Sequence, residues 1–134
     1  MSGRRVLVCG GRDYNDEARV FRVLDLAHAA NPIGVIIEGE APGADTLGRE
    51  WAKSRGIPFE AYPAAWDDLT HADALIRTRA DGKKYDARAG FRRNQKMVDV
   101  GAPDVVAAFP GGTGTDDMIR RAEAAHIKVV KVKR

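Results

Sequence analysis

The stretch Val105-Val106-Ala107-Ala108-Phe109-Pro110-Gly111-Gly112-Thr113-Gly114-Thr115 decides the fold. Its first five residues are apolar without polar alternation, the pattern of a strand covered on both faces. The glycines end that strand, and residues 115–125 read as a helix with Asp116 and Asp117 in its first turn. A buried strand that passes through glycines into a helix is the repeating unit of a parallel α/β sheet.

The same unit occurs upstream. Arg5-Val6-Leu7-Val8-Cys9 is an apolar run stopped by Gly10-Gly11. A helix follows over residues 16–30, with Asp16 as its N-cap and Val20, Leu24 and Ala27 on one face. Asn31-Pro32 stops it. Val35-Ile36-Ile37 ends at Glu38-Gly39 and leads to a helix over residues 44–55, with Ala44, Leu47, Trp51 and Ala52 on one side and Gly56 as its stop. Phe59-Glu60-Ala61-Tyr62 is a weak third strand, residues 90–100 are helical up to Gly101-Ala102-Pro103, and Lys128-Val129-Val130-Lys131-Val132 is the last strand. The expectation is an α/β, Rossmann-like three-layer sandwich around a mostly parallel sheet of about five strands. All of residues 1–134 form a single domain, with 63–89 as an insertion, either a hairpin or a lid loop.

Composition limits the class. The 134 residues are 44% hydrophobic and 31% charged, which fits a folded globular chain and not a disordered one. The single cysteine, Cys9, excludes an internal disulfide, and no apolar stretch is long enough for a signal peptide or a membrane span, so a cytoplasmic location is expected. The three histidines, His28, His71 and His126, show no metal-ligand spacing. Net charge is only +3, yet residues 77–96 hold eight Lys/Arg against two Asp, a local charge of +6. The positive charge is therefore concentrated just before the 105–109 strand, where Arg92 and Arg93 offer planar, bidentate donors to phosphate.

In open parallel sheets ligands bind beyond the carboxyl ends of the strands. Three glycine-rich junctions lie there: Gly10-Gly11-Arg12-Asp13, Gly39-Glu40-Ala41-Pro42-Gly43-Ala44-Asp45 and Pro110-Gly111-Gly112-Thr113-Gly114-Thr115. Glycine tolerates positive φ and lets an anion approach the backbone, and the helix start beyond adds unpaired N–H groups. Any one such loop can be an ordinary turn; three on one sheet edge point to a phosphate-bearing ligand. Asp45 either caps its helix or hydrogen-bonds a ribose hydroxyl. For Asp116 and Asp117, magnesium binding is the alternative to favouring the helix dipole. Trp66 and Tyr85 either stack on a base or pack on the domain. Gly-x-Gly-x-x-Gly is absent, because Asp117 stands at its third glycine, and so is Gly-Lys-Ser/Thr.

Pro110-Gly111-Gly112-Thr113-Gly114-Thr115 resembles the Pro-Gly-Gly-x-Gly-Thr motif of the SLOG superfamily, which includes the LOG-type phosphoribohydrolases and the DNA-processing protein A fold. Val8-Cys9-Gly10-Gly11-Arg12, residues 39–45 and Gly90-Phe91-Arg92-Arg93-Asn94-Gln95 are similar more narrowly to its small YspA-type branch. The resemblance implies nucleotide binding through Gly10, Gly11, Arg12, Gly43, Asp45, Arg92, Arg93, Asn94 and residues 110–115, and a homo-oligomer. The hydrolase branch continues its motif to a glutamate where this chain has Met118, and it carries Arg-Lys-x-x-Met where this chain has Arg93-Asn94-Gln95-Lys96-Met97. A thioether is no general acid or base, so the remaining catalytic candidates are Arg93 and Asp117, the latter about 100° around the helix from position 118.

The resulting reading is a protein that binds a nucleoside monophosphate or an ADP-ribose-like molecule as sensor or carrier, with no cofactor beyond the magnesium alternative. The second reading is hydrolysis of nucleoside 5′-monophosphates to release the base. The third is binding of single-stranded DNA through the basic stretch.

Overall fold

The computed structural model describes residues 3–133. Five parallel strands form the central sheet: β1 (Arg4–Cys9), β2 (Ile33–Glu38), β3 (Phe59–Ala61), β6 (Val105–Ala108) and β7 (Lys128–Lys131). Their order is β3-β2-β1-β6-β7. Two short strands, β4 (Ile76–Thr78) and β5 (Lys84–Asp86), pair antiparallel outside that sheet. The insertion expected at 63–89 therefore contains a hairpin.

Helices α1 (Glu17–Ala30), α2 (Ala44–Ser54), α3 (Ala89–Asp99) and α4 (Thr113–Ala124) connect the parallel strands. The two-residue period of β1 sorts the core into layers. Val6 and Val8 face Val20 and Leu24 of α1 and Trp51 of α2, while Leu7 and Cys9 face Met97 of α3 and Met118 of α4. Residues such as Leu24 and Ile37 are fully buried, and each contributes about 1.5–3 kcal/mol relative to exposure. The Asp16 side chain caps α1 by accepting from the Arg19 N–H at 3.0 Å. Helix α4 begins two residues earlier than the sequence suggests, so Thr113, Gly114 and Thr115 belong to its first turn.

The strand order has a functional consequence. The first three strands step outward from β1 to one side; the chain then crosses over and lays β6 against the other side of β1. Between β1 and β6 the order reverses, and the loops at that point diverge to leave a crevice.

Two fully buried carboxylates show how polar groups are handled away from that crevice. Asp86 accepts the Arg92 guanidinium and the N–H groups of Leu75 at 3.1 Å and Arg88 at 2.9 Å, which ties the insertion to α3. Glu38, at the end of β2, accepts the Glu40 N–H through Oε1 at 2.6 Å, but its buried Oε2 has no hydrogen-bond partner among the described residues. Burial pushes the Glu38 carboxyl up to about 7, against the smaller opposing effects of the Glu40 N–H and then Arg49.

Two outcomes follow from these acids. Asp86→Ala strands the Leu75 and Arg88 amides and the Arg92 charge, which lowers stability by about 1–3 kcal/mol. Denaturant unfolding reads the loss, and hydrogen exchange places it in the insertion; unchanged exchange there would show that Asp86 fastens nothing. Glu38 holds its proton more tightly folded than unfolded, so its contribution to stability falls as pH rises from about 4.5 through about 7. Glu38→Gln therefore makes the pH dependence in that window shallower and gains roughly 2 kcal/mol on the parent protein between pH 5 and 8. Parallel stability curves for the two proteins would rule this out.

Candidate functional site

The three glycine-rich junctions meet backbone to backbone. The Gly11 N–H donates to the Pro110 carbonyl at 2.9 Å, and the Gly11 carbonyl accepts from the Tyr14 and Ala44 N–H groups, each at 3.2 Å. Gly43 sits at φ 81°, and a Cβ there would stand 2.1 Å from the Gly11 carbonyl oxygen. A Cβ on Gly10 would stand 2.6 Å from the Ala44 Cβ. Both positions need glycine for approach, and Gly43 also for its backbone angle.

Glycines of the third junction act differently. Gly112 has φ −111°, so no left-handed backbone is involved. A Cβ on Gly112 or Gly114 would meet nothing within 4 Å, whereas one on Gly111 would stand 2.2 Å from the Thr115 Oγ1. The missing side chains leave the start of α4 open. No side chain caps that start, and the first amide to bond back is that of Asp116, to the Gly112 carbonyl at 3.0 Å. The amides of Thr113, Gly114 and Thr115 precede it, where helix geometry supplies no partner.

Helix α3 brings a guanidinium to this opening. Arg93 donates to the Gly39 carbonyl and, at 3.5 Å, to the Tyr62 carbonyl, which holds it beneath the β2–α2 turn. Burial lowers its affinity for its proton, while the nearby Asp45 opposes that effect. Asp45 is itself buried, and burial raises its carboxyl to about 6 against the pull of Arg93. Its Oδ2 accepts the Gly39 N–H at 3.1 Å and the Ala41 N–H at 3.4 Å. Asp45 thus braces the turn before its helix instead of capping α2, which has no side-chain cap. Asn94 bridges α3 and α4: it accepts from Arg93 Nε at 3.1 Å and donates to the Gly114 carbonyl at 3.2 Å and to Asp117 at 3.0 Å.

These groups surround a cavity of about 390 Å³ at the β1–β6 crevice. Of the residues expected from sequence, Gly10, Gly11, Arg12, Asp45, Arg93, Asn94, Gly112, Thr113, Gly114 and Thr115 line it. Gly43, Pro110 and Gly111 lie behind the wall and shape it through the contacts above. Arg92 is directed to Asp86 and Asp73 instead, in ion pairs that fasten the insertion. Asp117 is likewise taken up by Asn94, Arg121 at 2.8 Å and Arg120 at 3.3 Å, and it borders a separate depression on the outer side of α4.

Ala87 carries no signal of function in the sequence, and Ala41, Phe91 and Met97 stand in quoted motifs without being marked as ligand contacts; the folded chain turns all four toward the cavity. Met118 lines it too, at the position where the hydrolase motif has its glutamate, and is 1% exposed. Cys9 also lines it, but burial holds its thiol strongly protonated. Among the described residues no group of three or more His, Cys, Asp or Glu is placed to hold a metal, and no helix is long and apolar enough to cross a membrane.

The comparisons with known proteins agree with this architecture. The family described as "YspA, cpYpsA-related SLOG family" matches residues 4–68, from β1 into the start of the insertion. The gene 61 protein of Mycobacterium phage D29 is 35% identical over 131 residues, covering 95% of this chain and 94% of that one. The X-ray structure of DNA processing protein A from Streptococcus pneumoniae superposes with a TM-score of 0.71 at 18% identity. That match covers 98% of this chain but only 50% of the other, so this chain spans half of that protein, and the likeness shows the fold alone. Family match, near-complete relative and shared fold together place the chain in the YspA-related SLOG family.

Proposed function

We propose that the protein binds a nucleotide or nucleotide-derived ligand in the β1–β6 cavity, as a sensor or carrier. The observation that carries this reading is the uncapped first turn of α4, opened by Gly112 and Gly114 and faced across the cavity by Arg93. Consecutive amides at a helix start, aligned with the helix dipole, form an anion site. The Thr113 and Thr115 hydroxyls add donors, and the Arg93 guanidinium is pre-positioned by backbone carbonyls rather than neutralised by a bonded carboxylate. Such a cradle suits a phosphate, and the apolar lining from Phe91, Met97 and Met118 suits the uncharged remainder of a nucleoside.

Binding without turnover is the better-supported form of this reading. Cleaving an N-glycosidic bond needs carboxylates at the reacting centre. Met118 offers a thioether there, and Asp117 is committed to Asn94 and two arginines outside the cavity. Single-stranded DNA would be favoured by a different feature, the exposed cations Arg77, Arg79, Lys83 and Lys84 of the hairpin; the structural neighbour is named for DNA processing.

Gly114→Leu separates these readings without disturbing the fold, because its side chain enters open space at a helical position. Calorimetry should show AMP bound more tightly than adenosine by about 1.5–3 kcal/mol in the parent protein. The substitution should weaken AMP at least about tenfold while thermal stability stays the same. Equal affinities for AMP and adenosine would end the phosphate assignment; undiminished oligothymidylate binding by a protein that ignores AMP would favour DNA. A second measurement concerns chemistry: incubation with AMP should yield no multiple-turnover release of adenine by chromatography. Steady release that disappears in Gly114→Leu would make the protein a hydrolase.

A further inference from the structure

The cavity wall contains one tryptophan, and it comes from the insertion. Trp51 is fully buried in the core with its Nε1–H on Asp25 at 2.9 Å, so Trp66 alone meets the cavity. Its position is closely defined. The Trp66 carbonyl accepts the Asp86 N–H at 2.8 Å. The ring edge rests on Gly90, where a Cβ would stand 2.9 Å from the ring carbon Cη2. Tyr85 meets the ring edge-on at 6.3 Å between centroids, and Arg79 covers Tyr85 at 4.8 Å.

Over the Trp66 ring lies the Arg12 guanidinium, 5.3 Å from the centroid. Arg12 is exposed at the cavity mouth and has no carboxylate within ion-pair distance among the described residues. A guanidinium over an indole at an exposed site is held weakly, whereas a nucleobase stacked on an aromatic ring is held more strongly and with little sequence preference. The contact is therefore one that a planar ligand group can replace.

We infer that Trp66 is the platform for the base of the ligand, and that the base takes the place which Arg12 occupies in the free protein. This inference rests on the nucleotide reading above and assigns the insertion to base recognition.

The test uses the intact chain with AMP, GMP, CMP, UMP and ribose 5-phosphate, followed by calorimetry and tryptophan emission. The nucleotides should bind at least about tenfold more tightly than ribose 5-phosphate and should change the Trp66 emission. Trp66→Leu should erase that advantage while ribose 5-phosphate binds as before, and Trp66→Phe, which keeps a smaller ring, should retain part of it. Arg12→Ala should widen the advantage by about two- to fivefold, because the competing guanidinium is gone. Equal binding of all five ligands to the parent protein, or an equal loss of all five in Trp66→Leu, overturns the platform and leaves the phosphate cradle standing. Binding of none removes the nucleotide reading and the platform with it.

Discussion

The Gly11 peptide holds the sheet edge together. Its N–H bonds to Pro110 beyond β6, and its carbonyl receives the Ala44 amide at the start of α2. One peptide thus joins the ends of β1 and β6 to the helix that follows β2. The approach is close enough that a single Cβ at Gly43 would collide with the Gly11 carbonyl, and one at Gly111 would stand 2.7 Å from the Gly11 nitrogen. The Gly11 amide of the first junction is thus taken up by Pro110 rather than left open to the cavity. The start of α4 carries no side-chain cap, so its first-turn amides face the cavity without an intrahelical partner.

Charge is arranged around this hub in an inner and an outer layer. Glu38, Asp45 and Arg93 sit inside, under the β2–α2 turn, and burial pulls each of them toward its neutral form. Arg93 is fixed there by the carbonyls of Gly39 and Tyr62, so its guanidinium costs little to orient when an anion arrives. Outside, Arg12 lies over the Trp66 ring and forms no ion pair with a carboxylate among the described residues. The inner arginine is hydrogen-bonded into the wall and the outer one rests on a ring, a difference set by their partners and not by their residue type.

The insertion meets α3 through polar contacts and through the Trp66 ring on Gly90. Its hairpin is exposed; Asp86 takes the Leu75 and Arg88 amides within the insertion and is fastened to α3 by Arg92. Arg92 and Arg93 are adjacent in sequence and on neighbouring positions of α3, yet one anchors the insertion and the other lines the cavity. The same short helix therefore joins the aromatic wall supplied by Trp66 to the part of the cavity lined by Arg93 and the start of α4.

Much of this was legible in the residues themselves. Unbroken apolar runs at β1, β2 and β6 required strands covered on both faces, and glycines after each placed the junctions. The Asp16 cap and the apolar face of α2 followed from local spacing alone. Strand order did not, because pairing is decided by which faces bury together across distant parts of the chain. Nor did the different fates of Arg92 and Arg93, or of Asp117, since an arginine or a carboxylate reads the same whether it meets a ligand or another side chain. The roles of the glycines were also beyond local reading: Gly43 takes positive φ, while Gly112 and Gly114 serve by leaving space. Sequence determined the layers and the loops; only the folded chain, by bringing together residues far apart in sequence, decided which groups are satisfied internally and which remain for a ligand.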